Sequence, residues 1–288
     1  MDSHLFINKE YEKQLQEDGV IKVPFLNADE LKRAREFYSE LHGTNDPPAM
    51  YDGIHMTIWC NDLDYKLKVK DTLHDIFMPA ADRTFTNYRA VSQQFIVKRQ
   101  GKDTTFPVHQ DWSIVDETKF CSFNMWVPLQ DVDADNGAMW IIKRSHNINR
   151  KVRGAGCLFP NYVPIIDDLK PYMTSYPMKA GEALLFYHNT IHGSPANTLD
   201  SPRVVVQVSI LPKQAPFHIY FQKQPGTPLE VHHPIDDFTY YYTRLREDSE
   251  MAPPTAKATV VEASYNNAPV TLAEIEAAIK NQPFFTVH

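Results

Sequence analysis

The sequence predicts a mainly β fold with flanking helices, of the double-stranded β-helix or jelly-roll barrel type. From Asn87 onward, short runs of β-branched and aromatic residues alternate with glycine, proline, asparagine and aspartate. Helical spacing of apolar residues is confined to the regions before and after these runs. The predicted strands cover residues 91–98, 119–129, 138–142, 182–187, 203–211 and 217–222.

The first third of the chain is predicted to be helical. One helix should lie between Asn27, a capping residue, and Gly43, because four apolar residues recur at helical spacing. These four are Leu31, Ala34, Tyr38 and Leu41. A second helix is expected from Tyr65 to Phe77, and Pro79 should end it.

Two connections carry turn signals. Residues 44–62 contain turn residues and no clean period, and we interpret them as a loop or lid near the pocket. The sequence Asp135-Asn136-Gly137 predicts a β-hairpin, since Asn-Gly tolerates the positive φ angles of a type I′ turn.

The chain after Pro225 is less regular. The aromatic and basic run FTYYYTRLRE (residues 238–247) is expected to pack on the outside of the barrel. Pro253-Pro254 marks a break, and Thr271 with Glu274 forms a capping box for a last helix ending near Asn281.

A single domain over residues 1–288 is predicted, because no internal repeat, low-complexity tract or linker divides the chain. It would comprise a helical part (about 1–86), a barrel core (about 87–222) and a C-terminal packing segment (about 223–288). At 288 residues such a chain can bury a full core without disulfide staples.

Composition argues against several classes of partner. A net charge of -7, without any run of lysine and arginine, disfavours a nucleic-acid-binding role. No stretch reaches the ~20 apolar residues of a membrane-spanning helix, and the N-terminus has no secretory pattern. The three cysteines share no short spacing, which favours a reducing compartment. We therefore expect a cytoplasmic protein without nucleic-acid or membrane partners.

His109, Asp111 and His192 are the candidate metal ligands. His109 and Asp111 lie on the same side of a strand or strand end, because side chains alternate with a period of two. With a second histidine they would form the 2-His-1-carboxylate triad of non-haem Fe(II) oxygenases. The alternative is a surface hydrogen bond between His109 and Asp111. His188 competes with His192 for the third position, and we interpret His188 as a supporting or surface residue.

Arg203 is the candidate anion-binding residue. It follows His192 by eleven residues, so both side chains can face one pocket only if the chain turns between them. Glycine, serine, proline and asparagine residues between 193 and 202 supply that turn. The guanidinium could then bind the far carboxylate of a dicarboxylate chelated to the metal. The alternative is a strand-edge arginine in a surface ion pair.

The segments that carry these residues resemble the phytanoyl-CoA dioxygenase family of iron(II)/2-oxoglutarate-dependent oxygenases. The matching stretches are SQQFIVK (92–98), HQDW (109–112), NMWVPLQDVDADNGAMWIIKRSH (124–146), GEALLFYHNTIHGSPAN (181–197) and Arg203. A weaker likeness lies in EYEKQLQEDGVIKVP (10–24).

The resemblance implies a role for seven residues. Fe(II) would be bound by the three candidate ligands, with 2-oxoglutarate as cosubstrate and O2 as oxidant. Ser194 would share the far carboxylate of 2-oxoglutarate with Arg203, and Trp126 and Gln94 would touch the cosubstrate. For Trp126 the alternative is an ordinary core tryptophan, which is compatible with the first role.

Substrate-side residues are less well marked. Trp112 is the leading candidate because it directly follows Asp111. Tyr51, His55 and Trp59 are weaker candidates, and packing explains them about as well. His232 and His233 have no partner at a ligand spacing, and we expect both to be solvated.

The expected function is oxidation of a C–H bond in a small-molecule metabolite, with release of succinate and CO2. Hydroxylation is the default outcome, and desaturation or cyclisation is possible. An amino acid or a natural-product intermediate is the expected substrate. The alternatives are a cupin-like metal-dependent isomerase or hydrolase and a non-catalytic binding module on the same fold. The sequence does not distinguish a monomer from a homodimer.

Overall fold

The computed structural model describes residues 4–43, 47, 53–101, 104–148, 151–159, 162–234 and 255–280. Tyr51, the run 238–247, Pro253-Pro254 and Asn281 lie outside the described residues. None of the described helices combines the length and apolarity needed to cross a bilayer.

A six-stranded antiparallel sheet forms the larger half of the barrel. With strands numbered in chain order, its sequence across the sheet is β1 (Val20–Pro24), β9 (Glu182–Tyr187), β5 (Phe123–Pro128), β11 (Arg203–Pro212), β3 (Tyr88–Lys98) and β2 (Ile54–Met56). The central strands β5 and β11 are buried along nearly their whole length, and the valines and isoleucine of β11 are typical of such a strand.

A four-stranded sheet faces the large sheet. Its order is β4 (Phe106–His109), β10 (His192–Ser194), β6 (Met139–Ile142) and β8 (Met173–Tyr176). Residues of both sheets line common cavities, so the two sheets enclose the barrel interior. The predicted jelly-roll fold is confirmed.

A third sheet contains the order β14 (Thr255–Glu262), β13 (Leu229–Pro234), β12 (Ile219–Gln222) and β7 (Gly154–Gly156). Strands β12 and β7 pair in parallel, whereas the other pairs are antiparallel. The prediction that His232 is solvated is wrong: it is buried, with Nε2 2.6 Å from Glu230 Oε2, because β13 has neighbouring strands on both sides.

The described helices are α1 (Lys9–Asp18), α2 (Ala28–His42), α3 (Leu63–Asp82), α4 (Ile166–Leu169) and α5 (Leu272–Lys280). Asn27 and Glu30 cap α2 reciprocally, each side chain accepting from the other's backbone N–H at 2.9 Å. The apolar faces of α2 and α3 pack against the outer face of the large sheet, where Phe37 contacts Phe95 of β3. The predicted helix between Asn27 and Gly43 is confirmed.

The predicted end of the second helix is wrong. Helix α3 continues through Pro79 to Asp82. The proline removes one helical N–H, but Phe77, Ala80 and Ala81 are fully buried on either side of it. Burial of this apolar face outweighs the lost hydrogen bond.

The first third of the chain was predicted to be helical. It contains helices, but it also contributes the strands β1 and β2. Strand β1 pairs with β9 and β2 pairs with β3, so both complete the large sheet. Strand β2 and the following turn Thr57–Trp59 fall within residues 44–62, which were predicted to be a loop. Met56, Ile58 and Trp59 do line a cavity, as expected for a segment near the pocket.

Residues 135–137 do not form the predicted hairpin. They carry the chain from β5 in the large sheet to β6 in the small sheet, and only Gly137 has a positive φ, of 88°. The Asn136 side chain instead accepts from the Asp133 N–H at 2.8 Å and donates to the Asp131 carbonyl at 2.9 Å. The turn therefore connects the two sheets of the barrel.

Candidate metal centre

His109, Asp111 and His192 converge in the barrel interior. His109 ends β4 and His192 begins β10, and these two residues are paired across the strands. Asp111 follows two residues after His109. Both histidine Nε2 atoms lie 3.5 Å from an oxygen of Asp111, and the three ligand atoms lie within 4.8 Å of one another.

The donor atoms of this group fit a single metal ion. The Nδ1 atoms of His109 and His192 donate to the backbone carbonyls of Pro107 (2.8 Å) and Thr190 (2.9 Å), leaving both Nε2 lone pairs directed at Asp111. Ligands about 2.1 Å from an ion and at right angles to each other stand about 3 Å apart. The observed spacing is close to this value.

Charge also suits metal binding. Burial, together with the neighbouring His109, lowers the pKa of His192 to about 4, so its imidazole is neutral. Burial would raise the pKa of Asp111, but His192 and His109 oppose this and hold that pKa well below its usual range. The group thus offers the neutral imidazole of His192 and the carboxylate of Asp111, with His109 Nε2 as the second nitrogen donor.

The backbone of Asp111 is fixed from both sides. Its N–H donates to the His188 carbonyl at 2.9 Å, and its carbonyl accepts from Arg153 Nε at 2.7 Å. Arg153 is buried and pairs with Glu117 through both terminal nitrogens. The Asn124 side-chain amide donates to Asp111 Oδ2. The sequence predicted none of these supporting roles, since Arg153 lies far from Asp111 along the chain.

His188 lies outside the ligand group. It follows β9 and is buried, with Nδ1 2.8 Å from Ser122 Oγ and Nε2 3.3 Å from Ser209 Oγ. The structure therefore brings His192 and not His188 to the other two candidate ligands. Its burial also excludes the surface position considered for it.

Two cavities open on the metal group. The smaller, of about 50 Å³, is lined by His109, Asp111 and His192 together with Trp126, Ser194 and Arg203. The larger, of about 200 Å³, contacts His109 and Asp111 from the other side. A metal ion bound here would therefore stand at the boundary of both.

Arg203 is buried in the smaller cavity. Its Nη1 donates to the Gly137 carbonyl at 2.7 Å, and its Cζ lies 5.1 Å from the centre of the Trp126 ring. Its Nε has no hydrogen-bond partner among the described residues. Burial lowers the pKa of Arg203 to about 9, which leaves it positively charged at neutral pH. An unpaired buried donor on a cation favours an anionic ligand at this place.

Lys98 provides a second buried nitrogen beside Arg203, and sequence reasoning did not identify it. Residues 98 and 203 are paired between β3 and β11. Lys98 Nζ donates to Ser194 Oγ at 2.7 Å and to the carbonyls of Ser194 and Pro195. Burial, with a smaller effect of Arg203, lowers the pKa of Lys98 to about 5. Neither Lys98 nor Arg203 forms an ion pair with a carboxylate of the described residues.

The larger cavity has aromatic walls and a neutral polar floor. Its aromatic residues are Trp59, Phe106, Trp112 and Phe159, and its polar floor contains Ser92, Gln94, Asn124, Gln207 and Ser209. Trp112, the leading substrate-side candidate, thus lies where the sequence placed it. Gln94, expected beside the cosubstrate, lines this larger cavity. His55 lines neither cavity, and its Nε2 is 3.2 Å from the Tyr65 hydroxyl.

Two solved structures illustrate the similarity of fold. The non-haem α-ketoglutarate-dependent carbocyclase SnoK from nogalamycin biosynthesis aligns with a TM-score of 0.52 and 20% identity, over 73% of this chain and 86% of the other. HygX from Streptomyces hygroscopicus, solved with nickel and 2-oxoglutarate, aligns with a TM-score of 0.51 and 14% identity, over 72% and 88%. At these identities the similarity shows a shared fold.

Sequence comparison gives the family. Phytanoyl-CoA dioxygenase domain-containing protein 1 of Danio rerio is 30% identical over 129 residues. This match covers 42% of the chain and 44% of the relative, so it spans less than half of that protein. The family model of phytanoyl-CoA dioxygenase matches residues 15–205, which include all three candidate ligands and Arg203. The chain belongs to the phytanoyl-CoA dioxygenase family.

Proposed function

We propose that this protein is an Fe(II)- and 2-oxoglutarate-dependent oxygenase that oxidises a C–H bond of a small-molecule metabolite. One observation carries the proposal. A two-histidine, one-carboxylate group lies between a small cavity lined by the buried Arg203, with the buried Lys98 next to it, and a larger neutral cavity. Such a group leaves metal positions open for a chelating cosubstrate and for O2.

Membership of the family supports this assignment, and so do two structural neighbours. The epimerase SnoN, with a TM-score of 0.52 and 17% identity, was solved with Fe3+, α-ketoglutarate and a nogalamycin compound. HygX was solved with nickel, 2-oxoglutarate and hygromycin B, at a TM-score of 0.50. These ligands belong to those proteins, and their size class is consistent with a small-molecule substrate for this one.

The chain's own residues would position the reactants. When bound, Fe(II) with 2-oxoglutarate and O2 supplies the oxidising power, with release of succinate and CO2. His109 and His192 present Nε2 to the metal because backbone carbonyls hold their Nδ1 atoms. Arg203 and Lys98 would bind the far carboxylate of the cosubstrate together with Ser194, whose Oγ accepts a hydrogen bond from Lys98. The Trp126 ring stacks over the Arg203 guanidinium at this end.

Hydroxylation is the proposed outcome by default, with desaturation or cyclisation open to the same site. Asp111 would offer the metal an anionic oxygen ligand, so chloride would have to compete with the cosubstrate and O2 for the other positions. Mass spectrometry of product formed under 18O2 in high chloride would distinguish these outcomes. We expect a gain of one 18O or a loss of two hydrogens, and chlorinated product would contradict the assignment.

Two other function classes are less well supported. A metal-dependent isomerase or hydrolase on this fold would not need two buried basic residues at one end of the pocket. A non-catalytic binding module would not need three converging metal donors.

The deciding experiment measures succinate formed from 2-oxoglutarate by the purified protein. Formation should require both Fe(II) and O2, and should be lost in His192→Ala. Succinate formation that is independent of iron, or its absence in the presence of a broad metabolite mixture, would argue against the proposal.

A further inference from the structure

The interior face of the large sheet changes its chemistry along two neighbouring strands. Alternate residues of β11 and β3 face the barrel interior, because side chains alternate along a strand. The polar residues among them are Arg203, Gln207 and Ser209 on β11, and Lys98, Gln94 and Ser92 on β3. Basic side chains thus stand at one end, and neutral amides and hydroxyls stand at the other.

Gln94 and Gln207 form an amide pair in the floor of the larger cavity. Gln94 Nε2 donates to Gln207 Oε1 at 2.9 Å. Gln94 is only 3% exposed, and its Oε1 has no hydrogen-bond partner among the described residues. Reversing both amides would leave an equivalent pair, so one acceptor and one donor remain available in either arrangement. The floor is therefore suited to a group that both donates and accepts.

Ser92 adds a hydroxyl to the same floor through a β-bulge. Gln94 is paired with Gln207, but the next inward residue of β11, Ser209, is paired with Val91, so β3 contains an extra residue. Ser92 has a φ of 60°, in the left-handed region that a serine rarely adopts. Bulges near binding sites redirect side chains in this way. Here the bulge directs a polar group into the cavity.

The walls of this cavity fit a flat or ring-shaped body. Phe159 is 52% exposed, and its ring lies nearly parallel to that of His109, with ring centres 6.1 Å apart. Trp59, Trp112 and Phe106 form the remaining aromatic wall. A dry cavity of about 150 Å³ accommodates benzene, so about 200 Å³ accommodates a ring with a small substituent.

Charge is the property that the larger cavity lacks. Within the described part of the chain, no lysine, arginine or glutamate lines it, and its one carboxylate, Asp111, is used by the metal. A charged group buried there would lose its hydration without meeting an opposite charge.

We propose that the larger cavity binds an uncharged, ring-containing substrate whose hydroxyl or amide group hydrogen-bonds to the Gln94–Gln207 pair. This inference rests on the proposed function and narrows it. It favours neutral natural-product scaffolds over free amino acids, since a free amino acid carries two charges. It also assigns Gln94 to the substrate side of the metal.

The test compares three ring compounds of similar size and different charge: benzamide, benzoate and benzylamine. The protein is loaded with Mn(II) and saturated with 2-oxoglutarate, so that 2-oxoglutarate fills the smaller cavity, which contains Arg203, and benzoate cannot bind there. Relaxation enhancement of the ligand protons by Mn(II) then reports binding next to the metal. We expect benzamide to bind at least about tenfold more tightly than either charged compound, as one desolvated hydrogen bond and the absence of charge would give.

Two neighbouring glutamines supply a matched pair of variants. Gln94→Leu should weaken benzamide binding about tenfold and leave 2-oxoglutarate binding unchanged. Gln93→Leu is the control, because Gln93 is also buried on β3 but points outward, 3.2 Å from His74 Nδ1. If Gln94→Leu weakens 2-oxoglutarate binding and spares benzamide, the assignment of Gln94 is overturned.

The outcomes separate the two proposals. If Mn(II) and 2-oxoglutarate do not bind, the proposed function fails, and this inference fails with it. If both bind, the inference alone is overturned either by benzoate or benzylamine matching benzamide, or by absence of relaxation enhancement with benzamide.

Discussion

The two cavities share His109, Asp111 and two strands, yet they recognise opposite kinds of chemistry. On β11, Arg203 lies in the smaller cavity, whereas Ser209 lies in the larger one. The smaller cavity selects by charge, because the buried Arg203 lines it and its one carboxylate, Asp111, is a candidate metal ligand. The larger selects by shape and by neutral hydrogen bonds. The first residue of β11 therefore lies where the cosubstrate would bind, and residues a few positions further along the strand lie where the substrate would bind.

Loss of a metal ligand should have the largest effect on turnover. We expect His109→Ala, Asp111→Ala and His192→Ala each to abolish iron-dependent turnover, because each removes a metal ligand. His188→Ala should retain measurable turnover, since residues that support ligands typically cost ~10–100-fold. Iron content and succinate formation should be measured together. An active His192→Ala combined with an inactive His188→Ala would reverse the ligand assignment.

Arg203→Leu tests the charged side of the comparison. We expect the KM for 2-oxoglutarate to rise by about ten- to a hundredfold, because a charge-assisted contact to a carboxylate contributes roughly 1.5–3 kcal/mol. Iron content and benzamide binding in the larger cavity should be unchanged. An unaltered KM for 2-oxoglutarate would refute the role of Arg203.

Lys98→Met should raise the KM for 2-oxoglutarate about tenfold, and it should also change the pH dependence of stability. The folded pKa of Lys98, about 5, is lower than its ordinary value of 10.5, so between these pH values the unfolded chain binds one more proton. Lys98 therefore makes the free energy of unfolding rise with pH in this window, by up to about 1.4 kcal/mol per pH unit. Without cosubstrate, the variant should lose this slope in urea unfolding measured from pH 6 to 9. An unchanged slope would contradict a neutral Lys98.

Trp112→Leu should have the smallest effect, confined to the larger cavity. We expect benzamide binding to weaken about two- to tenfold, because an aromatic contact contributes about 0.5–1.5 kcal/mol. Binding of 2-oxoglutarate should be unaffected. Trp140→Leu is the control, since Trp140 lies on β6 and lines neither cavity. Equal effects of both variants would indicate loss of packing instead.

Residues with a fixed spacing could be placed from the sequence. The period of two put His109 and Asp111 on one side of a strand end, and the turn after His192 returned the chain to Arg203, as the structure has it. Lys98 was missed because a lysine in a strand usually faces solvent, although the strand period could have shown that it shares a face with Gln94.

Features set by distant contacts were not predictable. Strand β2 has only three residues, and its pairing with β3 is what stabilises it. Asn136 resembled a hairpin residue, but its turn joins two different sheets. Pro79 predicted the end of a helix, but α3 continues because the apolar residues around Pro79 are buried. In each case tertiary packing overrides a local preference.

The hydrogen bond from Arg153 to the Asp111 carbonyl links the metal centre to the sheet outside the barrel. Arg153 directly precedes β7, and β7 pairs with β12. Strands β12, β13 and β14 all follow residue 205, where the match to the family model ends. Strands beyond the matched residues therefore pair with β7, next to the arginine that holds the backbone of a candidate metal ligand. We expect substitutions in that outer sheet to alter the affinity for the metal while every residue that lines the two cavities stays the same. Metal affinity could then evolve separately from substrate selection.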